Sequence, residues 1–363
     1  MNVVMLLTNP CNPDVRVIKE AKYISERGHN VTILCWDRDE KSKLPQKSYE
    51  GKVKLIRFRI ASVYGTGYKQ LGAFFKFVRS CKAYLKKKKV DIFHCHDLDG
   101  YIAYRLLYMK RIPYVWDMHE NYIKGNWLKR KLIQKIVIVG IKKSTKSIYV
   151  TNDVLKMMPE PIRDRMILLR NYPDSSYLTD EEKTESDYLR IGYHGTLRRQ
   201  LPEFSALFEA CKDYSDVRID VNGGGTDLLK LQELAKRYSN VYVHGPYDGL
   251  KDSNHLYANT DVLFCGYDST NPNYQGDTEV VKFYEAIITG TPMIMTKNLG
   301  MSAKVERMEI GVVVDTRDSI DIRRAIDQIR QRRELLQKWR DNMKKVVDNY
   351  KWSVAVKVLD AVY

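Results

Sequence analysis

The residues best suited to chemistry lie in the segment 276–294, where a polar opening precedes an apolar stretch that carries ionisable side chains. Its Gly276-Asp277-Thr278 opening predicts a helix N-terminus, and the free backbone N–H groups there bind phosphate well. Glu285 lies within the apolar stretch, and a buried carboxylate needs a partner. Two vicinal ribose hydroxyls would be one such partner, and a buried salt bridge is the alternative.

Two histidines lie where consecutive predicted strands end. His96 and His119 are each followed directly by an acidic residue, Asp97 and Glu120. The carboxyl ends of parallel strands are where α/β domains place their working groups. A lone histidine is more often a structural residue, but two at equivalent strand ends favour a functional site.

A glycine loop in the second half follows another predicted strand. Gly195 would allow a phosphate to approach the backbone closely, and Arg198 and Arg199 could neutralise a diphosphate or simply be solvated. The sequence has no Cys or His cluster at metal-ligand spacing, so it predicts neither a metal nor another cofactor. Negative charge would then be stabilised by helix N-termini and by Arg or Lys.

The sequence pattern around these residues predicts two α/β domains. A chain of 363 residues exceeds the size at which a single core usually keeps growing. Short apolar runs alternate with helix-period stretches in both halves, which predicts two Rossmann-like, doubly wound domains facing a central cleft. The predicted boundaries are 1–177 for the first domain, 187–340 for the second domain, and 341–363 for a helical segment that could pack back on the first domain.

Composition limits the class of protein and its compartment. Hydrophobic residues make up 44% of the chain, which excludes a disordered protein. The six cysteines are dispersed, the N-terminus lacks the features of a signal peptide, and no apolar run could span a bilayer. The sequence therefore predicts a cytoplasmic protein whose membrane contact, if it has any, is peripheral.

The positive charge is concentrated in the first half. Residues 1–177 hold 35 Lys and Arg against 16 Asp and Glu, whereas the rest of the chain holds 26 against 29. Because no nucleic-acid recognition motif is present, we expect an anionic membrane surface and no nucleic acid as partner. A solvated helix face whose aromatic residues belong to the core is the alternative. The residues expected at the membrane are Phe74, Phe75, Phe77, Lys86, Lys87, Lys88, Lys89, Trp127, Lys129 and Arg130.

The segment 276–294 resembles the donor-site helix of retaining GT-B glycosyltransferases similar to family 4. In that family a Glu-x7-Glu motif precedes a Gly-x-Pro turn, which matches Gly290-Thr291-Pro292 here. Glu285 matches the second Glu, which binds the ribose, and Asp277 takes the place of the first. Lys282 fits the Lys-x-x-Glu variant of polysaccharide-assembling members.

Further motifs extend this resemblance over most of the chain. They are the Asn12-to-Val17 opening, the Asp91-to-Asp99 and Trp116-to-Glu120 strand ends, the Gly192-to-Arg199 loop, and the His244-to-Tyr247 loop that would hold the base. The chain departs from the family at Thr196 and Leu201, where basic residues are usual. The implied catalytic residues are His119, Asp277 and Glu285. The implied donor-site residues are Gly195, Arg198, Arg199, His244, Tyr247, Thr278, Glu279, Lys282 and Glu285. The implied acceptor-side residues are Asn12, Asp14, Arg16, His96 and Asp97.

The resemblance implies transfer of a hexose-type sugar from a nucleotide-sugar donor to a glycan acceptor, with retention of anomeric configuration. The basic surface suggests an acceptor that is lipid-linked at the inner face of a membrane. A GT-B-fold nucleotide-sugar epimerase is an alternative that would explain the same cleft. A catalytically weak nucleotide-binding or scaffold subunit is another, motivated by Asp277, Thr196 and Leu201. A DNA-modifying glycosyltransferase is a remote fourth.

Overall fold

The computed structural model of the chain divides into two units. The first consists of Met1–Asn171 together with Val356–Tyr363, and the second is Tyr172–Ala355. The residues described are 1–63, 66–107, 112–123, 126–174, 178, 180–271 and 274–363. The predicted domain end at residue 177 lies outside these residues. Residues 356–363, at the end of the predicted C-terminal segment, belong to the first unit.

The first unit contains a sheet of eight strands within the described residues. The strands are β1 (Asn2–Leu7), β2 (Asn30–Asp37), β3 (Lys47–Glu50), β4 (Val53–Arg59), β5 (Ile92–His96), β6 (Tyr114–Met118), β7 (Lys146–Tyr149) and β8 (Met166–Leu168). Their order is β3-β4-β2-β1-β5-β6-β7-β8, and every adjacent pair is parallel except β3 and β4. Because the order reverses at β1, a crevice is expected beyond the carboxyl ends of β1 and β5.

Helices pack against this sheet. They are α1 (Val15–Glu26), α2 (Leu71–Leu85), α3 (Asp97–Leu106), α4 (Trp127–Lys143) and α5 (Asn152–Lys156). Asp14 caps the first of them by accepting a hydrogen bond from the backbone N–H of Val17 at 3.3 Å, which satisfies one of the N–H groups that a helix start leaves open. The rings of Trp36 and Phe77 stack in the core with centroids 5.7 Å apart.

The aromatic residues of α2 correct part of the expected membrane surface. Phe77 is fully buried and Phe74 is 9% exposed, because both pack in the core of the first unit. Phe75 points outward and is 55% exposed. For Phe74 and Phe77 the core alternative is therefore right, since one side of an amphipathic helix must face the sheet.

The other predicted surface residues are exposed. Lys86 to Lys89 lie in solvent just after α2. At the start of α4, Trp127 is 64% exposed, and Lys129 and Arg130 are exposed beside it. Among the described residues, no helix is both long enough and apolar enough to cross a membrane.

The second unit contains a six-stranded parallel sheet in its described part. The strands are β9 (Leu189–His194), β10 (Val217–Asn222), β11 (Val241–Gly245), β12 (Val262–Cys265), β13 (Met293–Thr296) and β14 (Gly311–Val314). Their order is β11-β10-β9-β12-β13-β14. The chain runs outward from β9 in one direction and then resumes on its other side, so the order reverses between β9 and β12.

The helices of the second unit complete its α/β layers. They are α6 (Leu201–Cys211), α7 (Leu228–Ala235), α8 (Ser253–Ala258), α9 (Val281–Ile288), α10 (Ser302–Met308), α11 (Ser319–Gln331), α12 (Glu334–Val346) and α13 (Trp352–Ala355). Helices α11 and α12 are separate, because the backbone leaves helical geometry at Arg332, where φ is −133° and ψ is 64°. The predicted α/β class with two doubly wound parallel sheets is confirmed.

Candidate functional site

A cavity of about 500 Å³ opens in the second unit beside the ends of β9 and β12. Ligands of open α/β sheets bind at such a reversal of strand order. The volume falls in the usual range for small-molecule sites, about 300 to 1,000 Å³. The predicted donor-site residues that line it are Gly195, Arg198, Arg199, Tyr247, Lys282 and Glu285.

The loop after β9 forms one wall of this cavity. Gly195 has a φ of 145°, which residues with a side chain rarely adopt, and a Cβ there would collide with the ammonium group of Lys282. The Gly195 N–H donates to the carbonyl of Asn222 at 2.9 Å, so that amide is already occupied. Arg198 and Arg199 are exposed and make no hydrogen bond or ion pair with other described residues. Their charges remain available at the rim.

Helix α9 supplies the opposite wall. Lys282 and Glu285 are three residues apart and therefore share one face of the helix, the face that lines the cavity. The carboxylate of Glu285 accepts a hydrogen bond from the hydroxyl of Tyr257 at 2.9 Å. Burial raises the pKa of Glu285, and the nearby Lys282 charge and the Tyr257 hydrogen bond act in the opposite direction. One carboxylate oxygen is thus held in place while the group faces the cavity.

The ammonium group of Lys282 lies between the Tyr193 ring and the cavity. It lies 4.5 Å from the centre of the Tyr193 ring and, within the described chain, makes no hydrogen bond and no ion pair. Burial lowers the pKa of Lys282, although Glu285 raises it. A partly buried cation that faces a cavity is favourable for an anionic ligand.

His194 is a cavity residue that the sequence reasoning did not select. Its Nε2 lies 3.0 Å from the hydroxyl of Thr260, and its Nδ1 lies 3.3 Å from the amide nitrogen of Asn222. Burial, with help from the Lys282 charge, lowers the pKa of His194 to about 3, so the ring is neutral near pH 7. The signal that could have found it was its position as the last residue of a strand, directly before the glycine loop.

The structure places the polar opening before α9 outside this cavity. Asp277 lies 3.4 Å from the ammonium of Lys304, and Glu279 also pairs with Lys304. Helix α9 begins only at Val281, so Gly276-Asp277-Thr278 is not its N-terminus as predicted. Asp277, Thr278 and Glu279 are absent from the cavity lining, because the first and last of them turn toward Lys304.

The predicted base-binding loop is divided between two places. Tyr247 lines the cavity, with its ring centre 6.4 Å from that of His194. His244 is elsewhere, because its Nε2 lies 2.7 Å from Asp220 Oδ1. His244 belongs to β11, whereas Tyr247 lies in the loop that follows this strand.

In the first unit, His119 lies beyond the carboxyl end of β6 within a group of carboxylates. Its Nε2 lies 2.9 Å from Asp117 Oδ2, and its Nδ1 lies 3.4 Å from Asp97 Oδ2. The Nδ1 of His96 approaches the same Nε2 at 3.2 Å. Burial opposes a charged ring, but Asp117 and Asp97 outweigh it and raise the pKa of His119 to about 9. The ring is thus a cation near pH 7.

Arg16 and His96, two of the predicted acceptor-side residues, are buried beneath His119 and contact Asp117. The guanidinium of Arg16 donates to both carboxylate oxygens of Asp117, at 3.0 and 2.9 Å, and to the carbonyl of Leu169 at 3.0 Å. Arg16 is 6% exposed and His96 is fully buried. Neither side chain is exposed for contact with an acceptor, because both are committed to holding Asp117 and His119.

The remaining predicted residues lie at the same edge. Asp14 caps α1 and accepts a second hydrogen bond from the Asn9 amide at 2.9 Å. Asn12 is exposed in the loop after β1, and Asp97 is 39% exposed with a φ of 60°. This loop and Asp97 follow β1 and β5, between which the strand order of the first unit reverses.

A buried cluster behind His119 contains groups of the types that bind metals. Ligating atoms of Glu20, His94, His96 and Asp117 all lie within 4.8 Å of one another. The Arg16 guanidinium lies against this cluster, with Nε 3.0 Å from Glu20 Oε1 and Nη2 2.9 Å from Asp117 Oδ1. Because Arg16 is permanently charged, its position disfavours the binding of a metal ion by this cluster.

Two family models match the chain, one for each half. Residues 14–171 match the model described as Glycosyltransferase Family 4, and residues 180–346 match the model described as Glycosyl transferases group 1. A search of curated protein sequences found no significant match.

Solved structures show the same fold over the full chain. Sucrose-phosphate synthase from Thermosynechococcus elongatus is 15% identical, with a TM-score of 0.78 over 100% of this chain and 98% of that one. HepE from Anabaena, solved with UDP and glucose, is 13% identical, with a TM-score of 0.68 over 100% and 99%. A Listeria monocytogenes protein assigned as a UDP-N-acetylglucosamine 2-epimerase is 11% identical, with a TM-score of 0.65 over 99% and 95%. At these identities the likeness is one of fold.

Proposed function

The chain belongs to the GT-B glycosyltransferases of the family 4 type, and we propose that it moves a hexose-type sugar from a nucleotide-sugar donor to a glycan acceptor with retention of anomeric configuration. The observation that carries the proposal is the cavity of the second unit. There a carboxylate and an ammonium group lie on one face of α9, at the reversal of strand order.

Glu285 is proposed to bind the ribose of the donor. Its carboxylate faces the cavity, and a carboxylate can accept hydrogen bonds from two adjacent hydroxyls. The Tyr257 hydroxyl fixes its orientation, which reduces the entropy lost on binding.

Lys282 is proposed to bind the donor diphosphate. Its ammonium faces the cavity without an anionic partner in the described chain, and the glycine at position 195 leaves room for it. Arg198 and Arg199 at the rim would add positive charge as the diphosphate departs. No metal is required by this scheme, because the developing charge is offset by side chains. The departing phosphate would assist the acceptor hydroxyl, which attacks from the same face.

The acceptor is proposed to be lipid-linked and presented at an anionic membrane surface. Near the start of α4, Trp127, Leu128 and Leu132 are 64%, 70% and 61% exposed, and Lys129, Arg130, Lys131 and Lys135 are exposed around them. Apolar side chains flanked by lysines suit insertion between anionic headgroups. This surface would place the enzyme peripherally at the inner face of the membrane.

Calorimetry with a panel of UDP-, GDP- and dTDP-sugars tests the donor site. We expect one nucleotide class to bind, and Glu285→Ala to weaken that binding at least tenfold. Glu233→Gln, on the exposed side of α7, is the matched control and should bind normally. UDP-sugars come first, because HepE was solved with UDP. If no nucleotide sugar binds, the chain is a scaffold. If one binds and is epimerised without an acceptor, the epimerase alternative is right.

Flotation with vesicles of phosphatidylglycerol and phosphatidylcholine tests the membrane surface. The double variant Trp127→Ser/Leu132→Ser should reduce binding to anionic vesicles more than tenfold, since each large apolar side chain contributes about 1.5 to 3 kcal/mol when buried. Phe75→Ser, which changes an aromatic residue of α2 that is 55% exposed, is the control for the position of the surface. Equal binding by wild type and the double variant would contradict this part of the proposal.

A further inference from the structure

Tyr363 lies against the buried cluster behind His119. The hydroxyl of Tyr363 is 2.6 Å from Nδ1 of His94. Two further contacts hold the same segment to α1, because Asp360 accepts hydrogen bonds from Tyr23 and Arg27, both at 2.9 Å. Tyr363 is therefore a fixed part of the first unit.

The Tyr363 hydroxyl can determine which nitrogen of His94 carries the proton. Burial and the neighbouring carboxylates raise the pKa of Tyr363 well above its ordinary value, so the hydroxyl keeps its proton. Burial lowers the pKa of His94, so that ring is neutral. A hydroxyl that donates to Nδ1 requires the neutral ring to carry its proton on Nε2.

The protonated nitrogen of His94 then faces Glu20. His94 Nε2 lies 3.5 Å from Glu20 Oε2, and both residues are fully buried. An N–H directed at a carboxylate favours its ionised form. The opposite tautomer would direct a lone pair at Glu20, which would favour the protonated acid. The charge of Glu20 therefore depends on the His94 tautomer.

Glu20 and His119 are coupled through Arg16 and Asp117. Nε of Arg16 lies 3.0 Å from both Glu20 Oε1 and Asp117 Oδ2, and Asp117 in turn holds His119. Burial and the Asp117 charge raise the pKa of Glu20 to about 8, so Glu20 is ionised in the range where His119, with a pKa of about 9, loses its proton. If Glu20 takes up a proton, this buried cluster loses one negative charge, and the His119 cation becomes less favourable.

We propose that Tyr363 is a positioning residue that sets the tautomer of His94, and through Glu20, Arg16 and Asp117 keeps His119 charged. The groups that face His119 are Asp117 on β6, His96 on β5 and Asp97 on α3, and those that face Glu20 are Arg16 on its own helix, His94 and Asp117. The relevance of this arrangement to catalysis rests on the proposed function, whereas the tautomer itself does not.

Long-range ¹H–¹⁵N NMR of histidine-labelled full-length protein tests the proposal without a substrate. In the wild type, His94 should show the Nε2–H tautomer. In Tyr363→Phe, the Nδ1–H form should appear, and the acid dissociation constant of His119 should rise at least tenfold. Arg27→Ala is the matched control, because it removes a contact to Asp360 in the same segment but retains the hydroxyl, and it should change neither value.

Glu20→Gln provides a second route if Tyr363→Phe folds poorly. It removes the charge directly, so the His119 dissociation constant should again rise at least tenfold. With an active enzyme, Tyr363→Phe should lower kcat and shift its pH profile while the donor KM is unchanged. An Nδ1–H tautomer in the wild type, or an unchanged His119 in both variants, would overturn the proposal. Absence of transferase activity with the expected NMR result would count against the proposed function alone.

Discussion

The charged state of His119 predicts how the stability of the protein depends on pH. Its pKa is raised to about 9 from an ordinary value of 6.5, because Asp117 and Asp97 outweigh the effect of burial. A group whose pKa is higher in the folded state stabilises that state at low pH and loses the effect as pH rises. The stabilisation from His119 is therefore fully present below about pH 6.5 and disappears as pH rises through 9.

The size of this effect follows from the same two values. At roughly 1.4 kcal/mol per pKa unit, the difference between 6.5 and about 9 corresponds to about 3 kcal/mol. His119→Gln has no titrating ring, so its free energy of unfolding should lack this component. The difference in the free energy of unfolding between wild type and His119→Gln should thus shrink by about 3 kcal/mol between pH 6 and pH 10. A difference is needed because other groups titrate in the same range.

Urea unfolding at several pH values, monitored by tryptophan fluorescence, measures the difference in the free energy of unfolding between wild type and His119→Gln. Trp36 and Trp116 are fully buried in the first unit and report on its transition. Phe75→Ala, which changes an exposed residue of α2 that has no ionisable group, serves as the control and should give a constant difference. A wild-type minus His119→Gln difference that stays flat, or that grows with pH, would refute the assignment of a charged His119 between carboxylates.

Four further variants test the core and the cavity. Phe77→Ala should lower the free energy of unfolding by about 3 to 5 kcal/mol, whereas Phe75→Ala should change it by less than about 0.5 kcal/mol, because only Phe77 is buried; chemical denaturation would show equal losses if the two faces of α2 were assigned wrongly. Gly223→Ala should abolish nucleotide-sugar binding in calorimetry while the fold persists by circular dichroism, because a Cβ there would overlap the carbonyl oxygen of Gly195; normal binding would contradict the close packing of the two loops. Tyr257→Phe should weaken nucleotide-sugar binding about three- to tenfold, the effect of roughly one hydrogen bond to a carboxylate, and an unchanged dissociation constant would show that Glu285 needs no support.

The sequence predicted the α/β layers because their signals are local. Runs such as those of β1 and β12 are almost entirely apolar, as expected for strands covered on both faces. Two strands of the first sheet were not expected. β3 has an exposed polar sequence that carries no burial pattern, and β8 is only three residues long.

Lys282 and Glu285 show that helical spacing alone can place two side chains on one face. The i, i+3 relation of Lys282 and Glu285 is fixed once α9 forms, so both line the cavity as expected. Asp277 and Glu279 do not line the cavity, and both carboxylates pair with Lys304, which is distant in sequence. Tyr257 could not be selected either, since its contact with Glu285 joins two helices that the sequence does not relate.

The first unit shows why residue type alone does not separate a contact residue from a supporting one. Arg16 and His96 match a motif and carry polar groups, yet both are buried and face Asp117. A buried arginine is stable only with its charge and donors satisfied, and Asp117 and Leu169 supply that partnership from other elements. The motif therefore identifies a group of buried side chains that holds His119 in place. Within this group, His119 and Asp97 remain partly exposed. Removing the Arg16 charge should for this reason disturb the His119 pKa and the stability of the first unit together, whereas Asp97→Asn should change mainly the pKa.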